Sequence, residues 1–222
     1  MKIIAYLLLF TILISFQSCF EIIEQVFIKN DGSGNFQLVL NMSKSKTRLN
    51  SIIKMKTING HDVPSKDEIK DKIADIEKTI TKTSGISNVK TTIDFDNYIV
   101  GISCNFNKVT QINEAVKNIY LKENAKGKAS EKIYDYDAAG GLFSRLNLFS
   151  FKDEYKKLSN ADKEVFASAN YTSIFKFEGS VIAASNKETK ISPSKKAVML
   201  KLNALDIITE KRSIENKITL TK

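Results

Sequence analysis

The sequence predicts an α+β fold in which a mainly antiparallel sheet carries helices packed on one face. Several short runs rich in Ile, Val, Leu and Phe are joined by tight turns, and strands joined in this way are antiparallel. Segments with apolar residues at helical spacing alternate with these runs. Of the 222 residues, 42% are hydrophobic and 27% are charged, so the chain is globular and long enough to bury one substantial core.

The first two predicted strands cover residues 21–28 and 35–42. An Asp-Gly pair at positions 31 and 32 separates them and is a strong hairpin signal, because such turns need residues that tolerate positive φ. The polar residues 30–33 also suggest a calcium loop, but the later acidic residues that an EF-hand requires do not follow in the sequence. We therefore predict a tight turn here.

The next segments predict helices. Residues 43–56 form a short predicted helix, and residues 57–64 form a loop. Ser65 and Glu68 then have the spacing of a capping box, which predicts a helix from residue 66 to about residue 83. The inward face of this helix is predicted to carry four isoleucines: Ile69, Ile73, Ile76 and Ile80.

A second hairpin is predicted from residues 86–95 and 98–106, and a helix over residues 111–121 follows it. Residues 123–132 are polar and lack periodicity, which predicts a flexible loop. Two strands come next, a short one that begins at Tyr134 and a stronger one over residues 142–151. The remaining predicted elements are a helical segment over 152–169 with Ser159 as its cap, strands over 171–177, 181–184 and 197–202, a helical turn over 204–209 and an extended segment over 213–220.

The order of elements from residue 35 to residue 151 is strand, helix, hairpin, helix, strand. This order is compatible with a ferredoxin-like unit. The strands that follow it are expected either to extend the same sheet or to form a small β lobe. No shift in composition marks a linker, so residues 19–222 are predicted to form a single domain.

The chain is basic, with 34 Lys and Arg against 25 Asp and Glu and a formal net charge of +9. Only Arg48, Arg145 and Arg212 are arginines, whereas specific recognition of nucleic acids favours arginine, so we predict no nucleic-acid partner. A solvated lysine-rich surface is the simplest interpretation, and attraction to anionic surfaces is the alternative. The densest lysine groups are Lys44/Lys46, Lys54/Lys56, Lys126/Lys128 and Lys195/Lys196.

The N-terminus has the pattern of an export signal. Met1-Lys2 supplies a positive start, and residues 3–16 are a 14-residue run without a charge. A helix that spans a bilayer needs about 20 apolar residues, whereas the apolar region of a signal peptide needs about 7 to 15. The small residue Ser18 and then Cys19 follow the run directly.

The run Phe16-Gln17-Ser18-Cys19 resembles the lipobox of bacterial lipoproteins, and its departures from the commoner residues are similar to those of Bacteroidota. The resemblance implies that residues 1–18 are a signal peptide and that Cys19 receives diacylglycerol, which makes the membrane a partner through a lipid anchor. It also implies the cell envelope, with the periplasmic side of the outer membrane favoured over the surface, because no dense acidic cluster follows Cys19. An ordinary signal peptide or an uncleaved anchor are the alternatives.

A second resemblance concerns residues 171–181, Asn186 and the strand from Ala197, which are similar to the tail of LppM-like envelope lipoprotein domains. Glu178 stands where that pattern has proline, and no tryptophan closes the second strand. The resemblance implies a membrane-facing β/α domain that handles amphiphiles. An unknown envelope protein or lipid is therefore a possible partner.

The sequence contains none of the common catalytic or nucleotide-binding motifs, such as GxGxxG, the P-loop, HExxH, GxSxG or paired CxxC. We predict no catalytic residues, no cofactor and no metal, and hence a non-enzymatic binding or structural role. The single histidine, His61, precedes Asp62 in a loop. Residues adjacent in sequence rarely supply a catalytic triad, and no serine has the context of a nucleophile elbow, so we predict a loop histidine without a catalytic role. Cys104 is expected to be buried as a small hydrophobic residue.

Two features keep alternatives open. The pairs Asp94/Asp96 and Asp135/Asp137 would each share one strand face, so an envelope hydrolase is a weaker hypothesis. A set of aromatic residues at alternate positions is predicted to pack in the core, but an open face of this kind would form a lipid or peptide groove. This set consists of Phe143, Phe149, Phe151, Tyr171, Phe175 and Phe177.

Overall fold

The computed structural model describes residues 20–123, 132–147 and 150–221. Its elements, in chain order, are β1 Glu21–Ile28, β2 Gly34–Asn41, α1 Lys46–Ile52, β3 Thr57–Ile58, β4 His61–Asp62, α2 Lys66–Thr81, β5 Ile86–Asp94, β6 Ile99–Phe106, α3 Thr110–Glu123, β7 Tyr134–Asp137, β8 Leu142–Arg145, α4 Lys152–Lys157, α5 Asn160–Ala167, β9 Asn170–Phe177, β10 Val181–Ala184, β11 Lys190–Ile191, β12 Ala197–Asn203, α6 Ala204–Ile208 and β13 Asn216–Leu220. These elements confirm the predicted α+β class.

The larger sheet has seven strands in the order β11-β12-β9-β1-β2-β6-β5. All neighbouring strands are antiparallel except β1 and β9, which are parallel. The β1–β2 hairpin closes at the predicted Asp-Gly turn, where Gly32 has a φ of +85° and the Lys29 amide donates to the Ser33 carbonyl. One end of this sheet is formed by the strand ends Glu21, Asn41, Ile99, Asn170 and Asn203. We call it the anchor edge, because Glu21 follows the predicted lipidation residue, Cys19, by two positions in the sequence.

The smaller sheet has four antiparallel strands in the order β10-β13-β8-β7. Together with α2 and α3, its side chains pack on one face of the larger sheet. Phe143 of β8 is fully buried, and its ring lies 5.1 Å from that of Phe175 and 5.5 Å from that of Phe177, measured between centroids. The two sheets therefore share one core.

Helix α2 begins as predicted. The Ser65 side chain accepts from the Glu68 amide at 3.2 Å, and the Glu68 carboxylate accepts from the Ser65 amide at 2.7 Å. These bonds satisfy amides that the first turn of a helix leaves unpaired. Ile76 and Ile80 pack into the core beside β5.

The ferredoxin-like order is present in its first part. Strands β2 and β5 are joined through α2, and β6 lies between them and antiparallel to both. The fourth strand differs from such a unit, because β7 pairs with β8 in the smaller sheet while β1 occupies the position beside β2. The C-terminal strands do both things that were expected: β9, β11 and β12 extend the larger sheet, and β10 and β13 join the smaller one.

Several predicted elements have different bounds. The helix predicted over 43–56 ends at Ile52, and the extended segment predicted over 213–220 begins at Asn216. The strand predicted over 142–151 ends at Arg145, because β7 and β13 both end their pairing with β8 there. The helical segment over 152–169 is two helices, since Leu158 and Ser159 have extended backbone. The predicted loop at 57–64 holds the two-residue strands β3 and β4, which flank Asn59-Gly60. The predicted loop over 123–132 lies largely outside the described residues.

Among the described residues, no helix combines the length and the apolar character that crossing a bilayer requires.

Candidate functional site

The lipidation residue predicted from the sequence, Cys19, and the signal peptide 1–18 lie outside the described residues. Phe20, the first described residue, already makes contacts with the rest of the domain. The Phe20 carbonyl accepts from the Asn170 amide at 2.9 Å, and the Phe20 ring meets that of Phe166 edge to face at 6.0 Å. Strand β1 starts at Glu21, so two residues after Cys19 the chain is already in the centre of the larger sheet.

Cys104 is buried in β6, as predicted, with 4% of its surface exposed. Burial raises the pKa of its thiol to about 11, because a thiolate is poorly solvated in an apolar environment. The thiol is therefore protonated near neutral pH, and Cys104 acts as a core residue rather than a nucleophile.

The predicted carboxylate pairs lie at opposite ends of the domain. Asp94 is at the anchor edge, where it accepts from the Asp96 amide and from both the backbone and the side chain of Asn97. These hydrogen bonds, that of the Asn97 side chain first, lower the pKa of Asp94. Asp94 therefore closes the β5–β6 turn and is not available as a proton donor.

The second pair has similar structural partners. Asp137 accepts from the Gly140 amide at 2.9 Å and so closes the β7–β8 turn, while Asp135 forms an ion pair of 3.0 Å with Lys132. The intervening residue, Tyr136, lies beside Gly32 in the β1–β2 turn, at the edge of the larger sheet opposite the anchor edge. The four carboxylates thus do not converge in one cleft.

His61 has a different partner from the one beside it in the sequence. Its Nε2 lies 3.5 Å from the Asp162 carboxylate, and its side chain is 68% exposed. Asp162 also accepts from Asn59 and Ser159, so it ties the β3–β4 turn to the start of α5. Among residues 20–123, 132–147 and 150–221, no three His, Cys, Asp or Glu side chains are placed to share a metal ion.

The aromatic residues of the predicted sheet face are largely core. Phe143, Tyr171, Phe175 and Phe177 are buried, and they fill the space between the two sheets. Phe151 does not belong to this face: it precedes α4 and is 55% exposed, since β8 has ended six residues earlier. Phe149 lies outside the described residues. The open groove that the alternative required at this face is thus occupied by side chains.

A buried ion pair that the sequence analysis did not identify joins the two sheets. Arg145 donates to both oxygens of Glu24, from Nε at 2.8 Å and from Nη2 at 3.0 Å. The Tyr171 hydroxyl donates to Glu24 Oε2 at 2.7 Å, and Arg145 also donates to the Leu146 carbonyl. The guanidinium carbon lies 5.1 Å from the centroid of the Tyr134 ring.

The electrostatics of this cluster keep the pair charged. Burial alone would raise the pKa of Glu24, but the charge of Arg145 and the hydrogen bonds from Arg145, Tyr134 and Tyr171 outweigh it, so the pKa lies below its ordinary value. Burial and the Glu24 charge raise the pKa of both tyrosines. Every charged atom of the pair has a partner within the cluster. Its role is therefore to fix β8 against β1, not to react.

A basic surface lies at the anchor edge. From residue 43 to residue 58 the chain carries five basic residues and no acidic one, and all five basic side chains are exposed. This segment, which we call the basic segment, contains α1 and borders a groove of about 600 Å³. The groove is lined by Lys46, Asn50, Ile53, Lys54, Lys66, Phe95, Asp96 and Tyr98.

The second face of the larger sheet is the other extended surface. Alternate residues of a strand point to opposite faces, so Ile23, Phe27, Val39 and Ile174 point away from the core. They are only partly buried, and Met199, opposite Ile174 in β12, is 37% exposed. Asparagine, glutamine, threonine and lysine side chains separate these apolar residues. This outer face is a mixed surface of apolar and polar side chains.

Comparisons with known proteins do not assign the chain to a family. No protein-family model matches it, and no curated protein does. Among solved structures it is similar to the folded domain of LppM from Mycobacterium tuberculosis, whose structure was determined by NMR. The two share 13% sequence identity with a TM-score of 0.41, over 90% of this chain and 87% of that one. The similarity is weak.

Proposed function

We propose that this protein is a lipoprotein of the cell envelope, anchored through acyl chains on Cys19, and that its α+β domain has a non-enzymatic binding or structural role. The anchor follows from the sequence signal: a positive start, a 14-residue apolar run, a small residue and cysteine. Each buried methylene of an acyl chain contributes about 0.8 kcal/mol, so two or more chains hold a protein on a bilayer.

The observation that carries the proposal is the position at which the folded domain begins. Phe20 is packed and hydrogen bonded, and β1 starts at Glu21 in the centre of the larger sheet. The first strand thus begins two residues after the cysteine that the signal designates, which supports a mature chain that starts at Cys19.

The structural roles of the side chains that could take part in catalysis support a non-enzymatic function. Asp94 and Asp137 close turns, His61 is paired with Asp162, and Cys104 is a protonated core thiol. None of these side chains shares a cleft with another. We therefore propose binding or assembly rather than hydrolysis.

The two cysteines provide a direct test and its own control. The full chain is expressed in a bacterium with [³H]palmitate, and the intact mass of the purified protein is measured. We expect label and loss of residues 1–18 in the wild type and in Cys104→Ala, and neither in Cys19→Ala. Label that persists in Cys19→Ala, or a wild-type mass that includes the leader, contradicts the proposal.

A carrier or sensor of amphiphiles is the second candidate function. The groove beside α1 favours it, because the groove combines lysines with the apolar surfaces of Ile53, Phe95 and Tyr98. Such a site suits a ligand with an anionic group and an apolar part. Mass spectrometry of the detergent-free purified protein is expected to detect a bound lipid in the wild type and to lose it in Lys54→Glu. A wild-type protein without bound lipid contradicts this candidate.

A further inference from the structure

We infer that the basic segment, residues 43–58, docks on an anionic bilayer surface and thereby orients the domain with its anchor edge against the membrane. The inference rests on the proposed lipid anchor at Cys19. It adds to that proposal the surface of the domain that contacts the membrane and the charge of the lipids that it contacts.

The sheet register places the basic segment beside the anchor. Asn41, the last residue of β2, lies opposite Glu21 in β1, and the basic segment starts two residues after Asn41. Burial raises the pKa of the Glu21 carboxyl, but hydrogen bonds from Thr172 and Lys201 and the charges of Lys201 and Lys44 bring it below its ordinary value, so Lys44 lies close to Glu21. In the sequence Cys19 precedes Glu21 by two residues, and adjacent Cα atoms are about 3.8 Å apart.

Contacts at the anchor edge also hold the basic segment in position. The Met42 amide donates to the Tyr98 carbonyl at 2.9 Å, and the Tyr98 hydroxyl donates to Asn50 in α1 at 2.7 Å. Tyr98 is only 8% exposed, so a buried side chain fixes the position of α1. The basic segment is thus a fixed surface beside the anchor.

The charge of the basic segment matches an anionic surface. Its basic residues are Lys44, Lys46, Arg48, Lys54 and Lys56, and Lys66 lies across the groove. The acidic residues beside them are Glu21, Asp62, Asp94 and Asp96, so this surface keeps an excess of two positive charges. A cluster of four to eight basic residues beside a membrane anchor is typical of attraction to anionic lipids. Met55, between two of the lysines, is 50% exposed and provides an apolar contact with the interfacial region.

A solvated lysine-rich surface is the competing explanation, and it differs in what it predicts for orientation. A lipid anchor two residues before β1 keeps the anchor edge near the bilayer in any case, but it leaves the domain free to tilt about that point. Attraction of the basic segment removes this freedom, because it holds residues 43–58 against the headgroups. Each basic residue near an anionic surface is expected to change the ratio of docked to undocked protein by about fivefold. Salt weakens the attraction, because the Debye length is about 8 Å at physiological ionic strength.

The test uses the full chain, processed in the cell and reconstituted into vesicles after its lipid has been verified by intact mass. A thiol-reactive fluorophore is placed at Met55→Cys in one sample and at Ser84→Cys, near the opposite edge, in another. Cys104 remains unlabelled because it is buried and protonated. Quenchers on the lipid headgroups then report which fluorophore lies near the bilayer, in phosphatidylcholine alone and in phosphatidylcholine mixed with phosphatidylglycerol.

We expect quenching at position 55 to be stronger in the anionic vesicles than in the neutral ones, with a smaller difference at high salt, and quenching at position 84 to be weak in both. Replacing Lys44, Lys46, Lys54 and Lys56 by Gln should abolish the difference, since four factors of about fivefold remove the preference for the docked state. The matched control replaces four exposed lysines away from the anchor edge and should keep the difference. These control residues are Lys29, Lys82, Lys108 and Lys176.

The outcomes separate this inference from the proposed function. A lipidated, vesicle-bound chain with equal quenching at the two positions, or with the same quenching in both kinds of vesicle, overturns the inference and leaves the anchor intact. A chain without lipid on Cys19 that does not bind vesicles overturns both. Loss of the difference in the control variant also overturns the inference, because it assigns the effect to overall charge.

Discussion

The two faces of the larger sheet are built from alternating residues of the same strands, yet their environments differ sharply. In β1, Val26 and Ile28 are each 1% exposed and Glu24 is 4% exposed, whereas Gln25 and Phe27 between them remain partly accessible. The inward face meets the smaller sheet, α2 and α3. The outer face carries apolar residues separated by amides and lysines.

The comparison shows where this molecule tolerates change. A residue on the inward face contacts side chains from two layers, so its removal leaves a cavity or an unpaired charge. A residue on the outer face contacts only its neighbours in the sheet, and solvent replaces what is removed. Stability is thus concentrated on the inward face, and the outer face and the anchor edge are free to serve contacts with other molecules.

The largest expected effect is the loss of the buried charge on the inward face. Glu24→Gln leaves Arg145 buried without a counter-charge, which should lower the free energy of unfolding by about 3–5 kcal/mol. Urea unfolding followed by circular dichroism measures this difference. Gln25→Ala, the adjacent residue on the outer face, should change stability by about 0.5 kcal/mol or less. An equally small loss in Glu24→Gln would show that the ion pair is not needed.

A double variant keeps this prediction testable if Glu24→Gln does not fold. Replacing both Glu24 and Arg145 by Met removes the charges together, and apolar replacements of a buried pair are often neutral or stabilising. We expect the double variant to be at least as stable as the better single variant. A double variant that is less stable than either single one contradicts the account of the pair as a costly buried charge.

The same carboxyl predicts a dependence on pH. The pKa of Glu24 is lower in the folded state than the value of about 4.3 in an unfolded chain. The unfolded state therefore binds a proton first as the pH falls, and the stabilisation present above about pH 4.3 is progressively lost below it. Wild-type stability should fall more steeply than that of Glu24→Gln over this acidic range. Parallel curves contradict the assignment.

The same substitution, valine to alanine, should lower the free energy of unfolding more on the inward face than on the outer face. Val26 in β1 is buried on the inward face, and Val39 in the neighbouring strand β2 is partly buried on the outer face. Val26→Ala should cost about 2–3 kcal/mol, because it removes two methylene equivalents and leaves a cavity. Val39→Ala should cost less than about 1 kcal/mol. Equal losses in chemical denaturation would show that something covers the outer face.

Local sequence patterns predict the turns and helix starts of this fold, but they do not predict which distant strands pair. The Asp-Gly hairpin, the capping box of Ser65 and the isoleucine face of α2 depend on residues close together in the chain, and the structure confirms them. The end of β8 at Arg145 depends on where β7 and β13 stop pairing with it, which no local pattern states. The pairing of β7 with β8 in the smaller sheet, instead of beside β2 as the fourth strand of a ferredoxin-like unit, also depends on residues far apart in the chain.

The candidate functional residues also fall into those that a local pattern predicts and those that only the folded structure brings together. The signal that ends in Cys19 is a local pattern, and the sequence alone predicts it. The lysines at positions 44, 46, 54 and 56 are also evident from the sequence alone. Their position beside the start of β1, two residues after the predicted lipidation residue, follows only from the register of β1 with β2. The partner of Glu24 lies 121 residues away, so no spacing rule could identify it. One signal was present, since alternation places Glu24 on the same face as Ile22, Val26 and Ile28.

The smallest expected effect concerns the helices that cover the inward face. Ser65 caps α2, which packs on β5, and Ser159 caps α5 with the same geometry, each side chain accepting from an amide three residues later at 3.2 Å. Ser65→Ala should lower the free energy of unfolding by about 1 kcal/mol, because α2 protects the core. Ser159→Ala should cost about 0.5 kcal/mol or less, because local opening of α5 exposes little of the shared core. Hydrogen exchange of the two helices measures this contrast. A loss of unfolding free energy in Ser159→Ala as large as that in Ser65→Ala would show that α5 belongs to the cooperative core.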